Sequence, residues 1–293
     1  MKVLLTGASG FLGRYVLQAL HRQNVPVLEL GRRHSGQDLG TEFIYADLQE
    51  ASDLGALLKD SGATHLLHLA WCTEHGKFWT APANLAWVNI TLQLLEAFCA
   101  QGGKHVTVGG TCAEYDWSYG YCDEDKTPLI PATLYGVCKD ATRRIIMARC
   151  EYYQIPCAWG RVFLPYGHGE NSQRLIPALI DIFQGKRAAF GVNSNVYRDF
   201  LHASDVADGF ITLLKHHAYG AFNISSAEPV QIRDLVIKIA GSLNADPQRV
   251  LGLPAQRQGE PHLLLGDNSK LMALGWQHKI SILQDLKLLP AKA

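Results

Sequence analysis

Tyr135 and Lys139, four residues apart, are a pair whose types and spacing could do chemistry. They stand in Tyr-Gly-Val-Cys-Lys, which reads as the opening of a helix running through Arg149. A spacing of four puts both side chains on one helical face. A phenol has a reference pKa of about 10, too high for easy proton exchange at neutral pH. An ammonium one turn away stabilises the phenolate and is expected to lower that value. Thr111 lies upstream, just past the apolar strand His105–Val108. Its hydroxyl can hydrogen-bond the same oxygen that the tyrosine protonates. A phenol, an ammonium and a hydroxyl so placed suit proton transfer at a carbinol or carbonyl oxygen.

That chemistry needs a frame. Val3–Thr6 is short and apolar, as a buried parallel strand would be. Gly7, Gly10 and Gly13 follow at three-residue spacing, and Phe11–His21 carries Leu12, Val16, Leu17 and Leu20 at helical spacing. A strand, a glycine turn and a helix start, here Gly7, Gly10, Phe11, Leu12 and Gly13, make a cradle for a dinucleotide pyrophosphate. The spacing is GxxGxxG, not the GxGxxG of the usual fingerprint. A nicotinamide ring held there would favour tyrosinate further and accept or give the hydride. A second strand, Val25–Leu30, ends in Gly31-Arg32-Arg33, where an acid commonly meets the adenosine ribose. Arg32 and Arg33 suit a 2′-phosphate instead, so the expected cofactor is NADP(H), with Glu29 a competing acid.

Phe43–Ala46 leads to Asp47 and Leu48, where Asp47 either meets the adenine or caps a helix near Ser52. His65–Ala70 is a fourth strand, and Leu69 and the small Ala70 at its end allow close approach of a cofactor. Trp71–Pro82 reads as a loop. Asn84–Ala100 reads as a helix with Leu85, Val88, Leu92, Leu95 and Phe98 facing inward. His105–Val108 and Cys157–Phe163 complete six strands. The pattern then loosens: a loop at Gly167, Gly169 and Asn171, a helix Leu175–Phe183, a strand Arg198–His202, and a helix capped by Ser204 or Asp205. Ala221–Ile224, a helix Ile232–Leu243 and a loop Arg257–Pro261 follow. The expected fold is α/β: a doubly wound parallel sheet of Rossmann type with a smaller C-terminal substrate-binding lobe. Residues 1–164 plus 194–224 would form the NADP-binding part, and 165–193 plus 225–293 the lobe.

Composition excludes other classes. The 293 residues are 47% hydrophobic with a formal net charge of zero, so no electrostatic hold on nucleic acid or an anionic membrane is expected. No apolar run approaches the roughly 18–20 residues of a membrane span. The glycine turn arrives at residue 7, before any signal region could form. The seven cysteines are odd in number and without CxxC pairs, as in a cytoplasmic protein with free thiols. The twelve histidines form no HxxxH or HExxH, and no metal is expected.

With TGASGFLG at 6–13, DL at 47–48, HLA at 68–70, Thr111, YGVCK at 135–139, RLIP at 174–177, RDFLH at 198–202, FNISSAEP at 222–229 and RQGEP at 257–261, the chain resembles the extended short-chain dehydrogenase/reductase family. The likeness is to its nucleotide-sugar epimerase/dehydratase/reductase group. It implies a nicotinamide dinucleotide touched also by Tyr135 and Lys139, and a nucleotide-diphosphate sugar as substrate. It implies that Arg198 and Arg257 grip the diphosphate and that Leu175-Ile176-Pro177 lies along the base. Thr111 and Asn171 fall on the substrate side. Dehydratases of the group follow the catalytic Thr with Asp and Glu, but Cys112 and Ala113 stand here, so water elimination is not expected. Members resembling GDP-fucose synthase place a Cys two residues after the hydroxyl and a His before the apolar-Ile-Pro segment. Those places hold Ala113 and Arg174, and the family's frequent Asn after the sixth strand is Leu164. The expected activity is NADPH-dependent reduction of the C4 keto group of an NDP-4-keto-6-deoxyhexose, in deoxysugar biosynthesis. The alternatives are a nucleotide-sugar 4-epimerase with tightly held NAD and a non-catalytic nucleotide sensor, which would not need the full Thr–Tyr–Lys set. By analogy of fold, helices such as 84–100 and 141–149 would pair across a homodimer.

Overall fold

A computed structural model describes residues 1–51, 53–255 and 259–284. In chain order the strands are β1 (Val3–Thr6), β2 (Val27–Gly31), β3 (Glu42–Tyr45), β4 (His65–His68), β5 (His105–Thr111), β6 (Tyr121–Cys122), β7 (Cys157–Val162), β8 (Leu164–Tyr166), β9 (Tyr197–His202), β10 (Gly220–Ile224), β11 (Pro229–Gln231) and β12 (Leu263–Gly266). The helices are α1 (Phe11–Arg22), α2 (Leu54–Leu58), α3 (Ala83–Ala100), α4 (Leu134–Tyr152), α5 (Leu175–Phe183), α6 (Ala203–Lys215), α7 (Ile232–Ser242), α8 (Gln248–Leu251) and α9 (Ser269–Met272).

Seven strands form one parallel sheet in the order β10-β7-β5-β4-β1-β2-β3. Val3, Leu4 and Leu5 of β1 are wholly buried because helices cover both faces. α1 packs on α6 over one face, where Val16, Leu17, Leu20, Phe210 and Leu214 join Leu5 and Leu67. α2, α3 and α4 cover the other, with Leu94, Phe98 and Ile146 against Leu4, Val106 and Trp159. The strand order reverses between β1 and β4. Ligands in this architecture bind at such a crevice, beyond the strands' carboxyl ends.

A second sheet, in the order β11-β9-β12-β6, lies at that end, and β8 pairs with β9. Asp199 sews it together. Its buried carboxylate accepts from Ser226 N at 2.7 Å, Ser226 Oγ at 2.7 Å and Gly266 N at 3.0 Å. α5, α7 and α8 close an apolar cluster beside it, with Leu179, Leu235, Ile239 and Val250 fully buried. The stretch 194–224 is shared between the sheets: β9 belongs to the smaller one, whereas β10 is an edge strand of the larger.

The inward line of α3 differs from the periodicity. Leu85 is 60% exposed, while Asn84 is buried. Asn84 turns inward because its Oδ1 accepts from Trp71 Nε1 at 2.8 Å and its Nδ2 donates to Phe78 O and Ala81 O. A polar residue thus takes the place that apolar spacing gave to leucine, and it braces the 71–82 loop. α6 is capped by His202, whose Nδ1 accepts from Ser204 N, rather than by Ser204 or Asp205. Asp205 is buried instead, accepting from the backbone of Lys279 and Ile280. α2 is capped by Asp53, and Ser52 lies outside the described residues.

Candidate active site

The β1–α1 turn fits a dinucleotide phosphate by shape and by donors. Gly7 has φ +78°, and a Cβ there would lie 2.8 Å from Ala70 N. A Cβ on Gly13 would run into the carbonyl of Gly7, so these two glycines bring turn, helix and β4 into close contact. Gly10 is the N-cap of α1 with no side chain capping it, and no acid sits in the first turn. The N–H groups of Phe11 and Leu12 therefore begin a helix whose positive end suits an anion. Leu69 and Ala70 close the turn from β4 through Leu69 N to Thr6 O and Ala70 N to Thr6 Oγ1.

Past β2, Arg32 and Arg33 are both exposed. Arg32 Nη1 lies 3.7 Å from Asp47 Oδ2, so guanidinium and carboxylate flank one spot. Asp47 Oδ1 accepts from Gln49 N, and Leu48 is buried. Glu29, the competing acid, is fully buried and occupied. It accepts from Ser35 N at 2.9 Å, Ser35 Oγ at 3.1 Å and Thr41 Oγ1 at 2.6 Å.

Thr111, Tyr135 and Lys139 converge at the carboxyl end of β5. Tyr135 hydrogen-bonds the Thr111 side chain, and Thr111 Oγ1 accepts from Ala113 N at 3.2 Å. Thr133 caps α4 and sets Tyr135 into its first turn. Lys139 Nζ donates to Gly109 O at 2.7 Å and lies 3.9 Å from the centroid of the Trp71 ring. The electrostatics correct one expectation. The phenol of Tyr135 stands above its ordinary value, not below it, with burial the largest cause and the Thr111 hydrogen bond offsetting only part. The ring is packed edge-on against Phe78 at 4.9 Å and Trp79 at 5.8 Å. Burial likewise brings Lys139 down to about 7, with Glu114 acting the other way. The ammonium faces the Gly109 carbonyl and the Trp71 indole. Cys112 is buried and its thiol pushed up by burial, so it is no ready base.

Of the residues expected to face a substrate, Arg198 has its Nη1 donating to Tyr197 O and Pro261 O at 2.8 Å, and its Nη2 lies 3.3 Å from Glu260 Oε2. Arg198 thus ties β9 to the segment just after Arg257, which itself lies outside the described residues. Asn171 is exposed, and its Oδ1 closes a turn on Gln173 N at 2.9 Å. Leu175 is half-buried at the start of α5. Arg174 pairs with Glu170 at 2.9 Å, and burial raises Glu170 to about 7. Sequence reasoning missed Trp71, Phe78 and Trp79 around the dyad, and Glu114 beneath Thr111. Thr111-Cys-Ala-Glu114 does carry the S/T-x-x-E spacing of a capping box, and the structure contains both of its bonds. Among the described residues no group of three His, Cys, Asp or Glu could hold a metal, and no helix is long and apolar enough to cross a membrane.

The family model described as "NAD dependent epimerase/dehydratase family" matches residues 3–225. The trifunctional UDP-glucose 4,6-dehydratase/UDP-4-keto-6-deoxy-D-glucose 3,5-epimerase/UDP-4-keto-L-rhamnose-reductase RHM1 of Arabidopsis thaliana is 25% identical over 97% of this chain, which spans 46% of that enzyme. The dTDP-6-deoxy-L-talose 4-dehydrogenase (NAD(+)) of Aggregatibacter actinomycetemcomitans is 25% identical over 85% of this chain and 96% of its own. Further relatives are named as nucleotide-sugar epimerases and a synthase. Among solved structures, "MoeE5 in complex with UDP-glucuronic acid and NAD" is 25% identical, with a TM-score of 0.85 over 98% of this chain and 97% of that one.

Proposed function

Since the chain belongs to the NAD dependent epimerase/dehydratase family, we propose that it reduces the C4 keto group of an NDP-4-keto-6-deoxyhexose with NADPH, as a step of deoxysugar biosynthesis in the cytoplasm. The observation that carries this reading is the buried Thr111–Tyr135–Lys139 set beside a Cys112–Ala113 pair that offers neither acid nor base. A bound NADPH supplies the hydride. Tyr135, kept protonated by its burial, gives its proton to the C4 oxygen as negative charge develops there. Thr111 donates to the same oxygen and orients it. Lys139, held by Gly109 O and the Trp71 ring, stabilises the tyrosinate that remains.

In this reading Gly7, Gly10, Phe11, Leu12, Gly13, Leu69 and Ala70 cradle the dinucleotide. Arg32 and Arg33 hold its 2′-phosphate, and Asp47 and Leu48 flank its adenine. Arg198 and Arg257 grip the substrate's diphosphate, Leu175 lines the base, and Asn171 borders the sugar side. Exposed Leu85, Val137 and Ile145 on α3 and α4 give a homodimer an apolar face to bury. The 4-dehydrogenase relative, matched over 96% of its length, supports single-step chemistry at C4.

The test is a stoichiometry. Protein stripped of dinucleotide is mixed with UDP-4-keto-6-deoxy-D-glucose and NADPH, and one equivalent of NADPH should disappear per C4 alcohol formed. C4 epimerisation of a non-keto sugar nucleotide with no net change in the reduced-nicotinamide band would replace this reading with the epimerase. Dinucleotide binding without turnover of any sugar nucleotide would replace it with a sensor.

A further inference from the structure

Glu114 takes no part in the proton transfer described, yet it touches much of that machinery. Its carboxylate is wholly buried. Oε1 accepts from Thr111 N at 2.8 Å and Trp159 Nε1 at 2.9 Å, and Oε2 accepts from Arg161 Nε at 2.7 Å. Gly110 makes the space: a Cβ there would collide with Trp159 Nε1 and Glu114 Oε1. Arg161, 1% exposed, continues to Tyr115 OH at 2.9 Å, and that hydroxyl donates to Asn223 Oδ1 at 2.8 Å. A buried ion pair is a weak source of stability beside apolar side chains of the same volume. Stability alone gives little reason to set one directly behind a strand end that carries a reactive hydroxyl.

We propose that Glu114 is a positioning residue of the Thr111–Tyr135–Lys139 site, fixing Thr111 through its backbone N–H and supplying negative charge to Tyr135 and Lys139 together. This rests on the proton-transfer role given to those residues above. The charge of Glu114 favours the protonated form of both Tyr135 and Lys139. Other groups face the same pair. Arg174 opposes Glu114 at Tyr135, and Cys112 faces the same phenol as a thiol that burial keeps neutral. His68, which burial holds neutral down to about pH 3, faces Lys139. Arg161 and Tyr115 face Glu114 itself. Tyr135 must carry its proton to act as an acid, and Lys139, which burial brings down to about 7, must carry its own to stabilise the tyrosinate, so Glu114 extends the working range of the reductase upward in pH.

The experiment reads the basic limb of kcat/KM for NADPH-dependent reduction of UDP-4-keto-6-deoxy-D-glucose. It also reads, without substrate or cofactor, the ultraviolet titration of the Tyr135 phenol as the difference from Tyr135→Phe. Glu114→Gln keeps the shape and loses the charge, and both midpoints should fall by roughly one pH unit, the low end of what a neighbouring charge does. Glu114→Asp keeps the charge but shortens the reach to Thr111, so kcat should drop while both midpoints stay. Should Glu114→Gln leave Arg161 unpaired and the chain unfolded, Glu114→Gln/Arg161→Gln leaves no lone buried charge; it also removes the cation 2.7 Å from the carboxylate, so its midpoints should fall by a smaller amount in the same direction. Midpoints that stay at wild type in the charge-free variant, with only thermal stability reduced, would overturn the proposal. Full activity in Tyr135→Phe would overturn the proton-transfer reading beneath it, and an inactive Tyr135→Phe with unmoved midpoints would overturn the Glu114 role alone.

Discussion

Replacing both Arg32 and Arg33 by alanine should cost NADPH affinity and leave NADH nearly untouched. Hydrogen bonds to charged groups contribute about 1.5–3 kcal/mol each. Here the lower values apply, because the Arg32 side chain is 67% exposed and already sits 3.7 Å from Asp47. That exposed pair is itself worth less than about 1 kcal/mol, and a 2′-phosphate must compete with it. The two arginines together then give about 2–3 kcal/mol, or roughly a 30- to 150-fold rise in the NADPH dissociation constant. Titration of both cofactors by quenching of tryptophan fluorescence measures it. The gap between them should also narrow as salt is added, since the site is open to solvent. Asp47→Asn frees Arg32 and should move NADPH the other way, by a few-fold. Equal losses for NADPH and NADH in the double variant would show that the arginines do not read the 2′-phosphate.

Tyr135→Phe should lower turnover roughly 10²–10⁴-fold with cofactor affinity unchanged, whereas Lys139→Met should lose both; steady-state rates beside equilibrium binding separate the two. Gly7→Ala meets a φ of +78° and a backbone nitrogen 2.8 Å from the new methyl. It should destabilise the fold by about 1–3 kcal/mol and weaken both cofactors alike, as read by thermal melting and titration. Burial lowers His65 and His105 to about 4 and His68 to about 3. The unfolded chain therefore takes up protons below its own pKa of about 6.5 that the folded chain refuses. Their share of stability is complete above that pH and is lost as pH falls toward 4, so melting temperature should drop across that window. His65→Asn should flatten the drop, and an unchanged slope would remove His65 from the account.

The large sheet was legible because each of its strands is a short apolar run beside a helix of opposite period, and β1, β4, β5 and β7 stand within a residue or a few of where those runs lie. The Thr–Tyr–Lys set was legible for a related reason: its spacing follows from the local geometry of one strand end and one helical turn. Of the second sheet only β9 was legible, as the strand Arg198–His202. β6 has two residues and β11 three, and they pair only through partners far along the chain, so no local period marks them. Asn84 and Glu114 were missed because their burial depends on hydrogen bonds to Trp71, Trp159 and Arg161, residues remote in sequence or in other elements. The raised Tyr135 phenol was missed because it comes from Phe78 and Trp79, in a loop whose place over α4 only the folded chain reveals.

The pairing of Leu265 with Tyr121 and of Gly266 with Cys122 also bears on how the protein is made. A ribosome delivers Thr111, Tyr135 and Lys139 long before it delivers β12. Until then β6, the strand that follows Thr111, has an open edge, and the segment between β5 and α4 is held mainly by Arg161 and Asn223. Long-range pairing of this kind is slow to form and exposed while it waits. The large parallel sheet can condense early during synthesis, but the apolar cluster just past Thr111, made of Cys112, Tyr115, Cys122 and Phe163, is completed only when Leu264 emerges. A nascent chain halted before residue 263 would hold Thr111, Tyr135, Lys139 and the Trp71, Phe78 and Trp79 rings beside them, and would still lack the strand that covers the edge of β6.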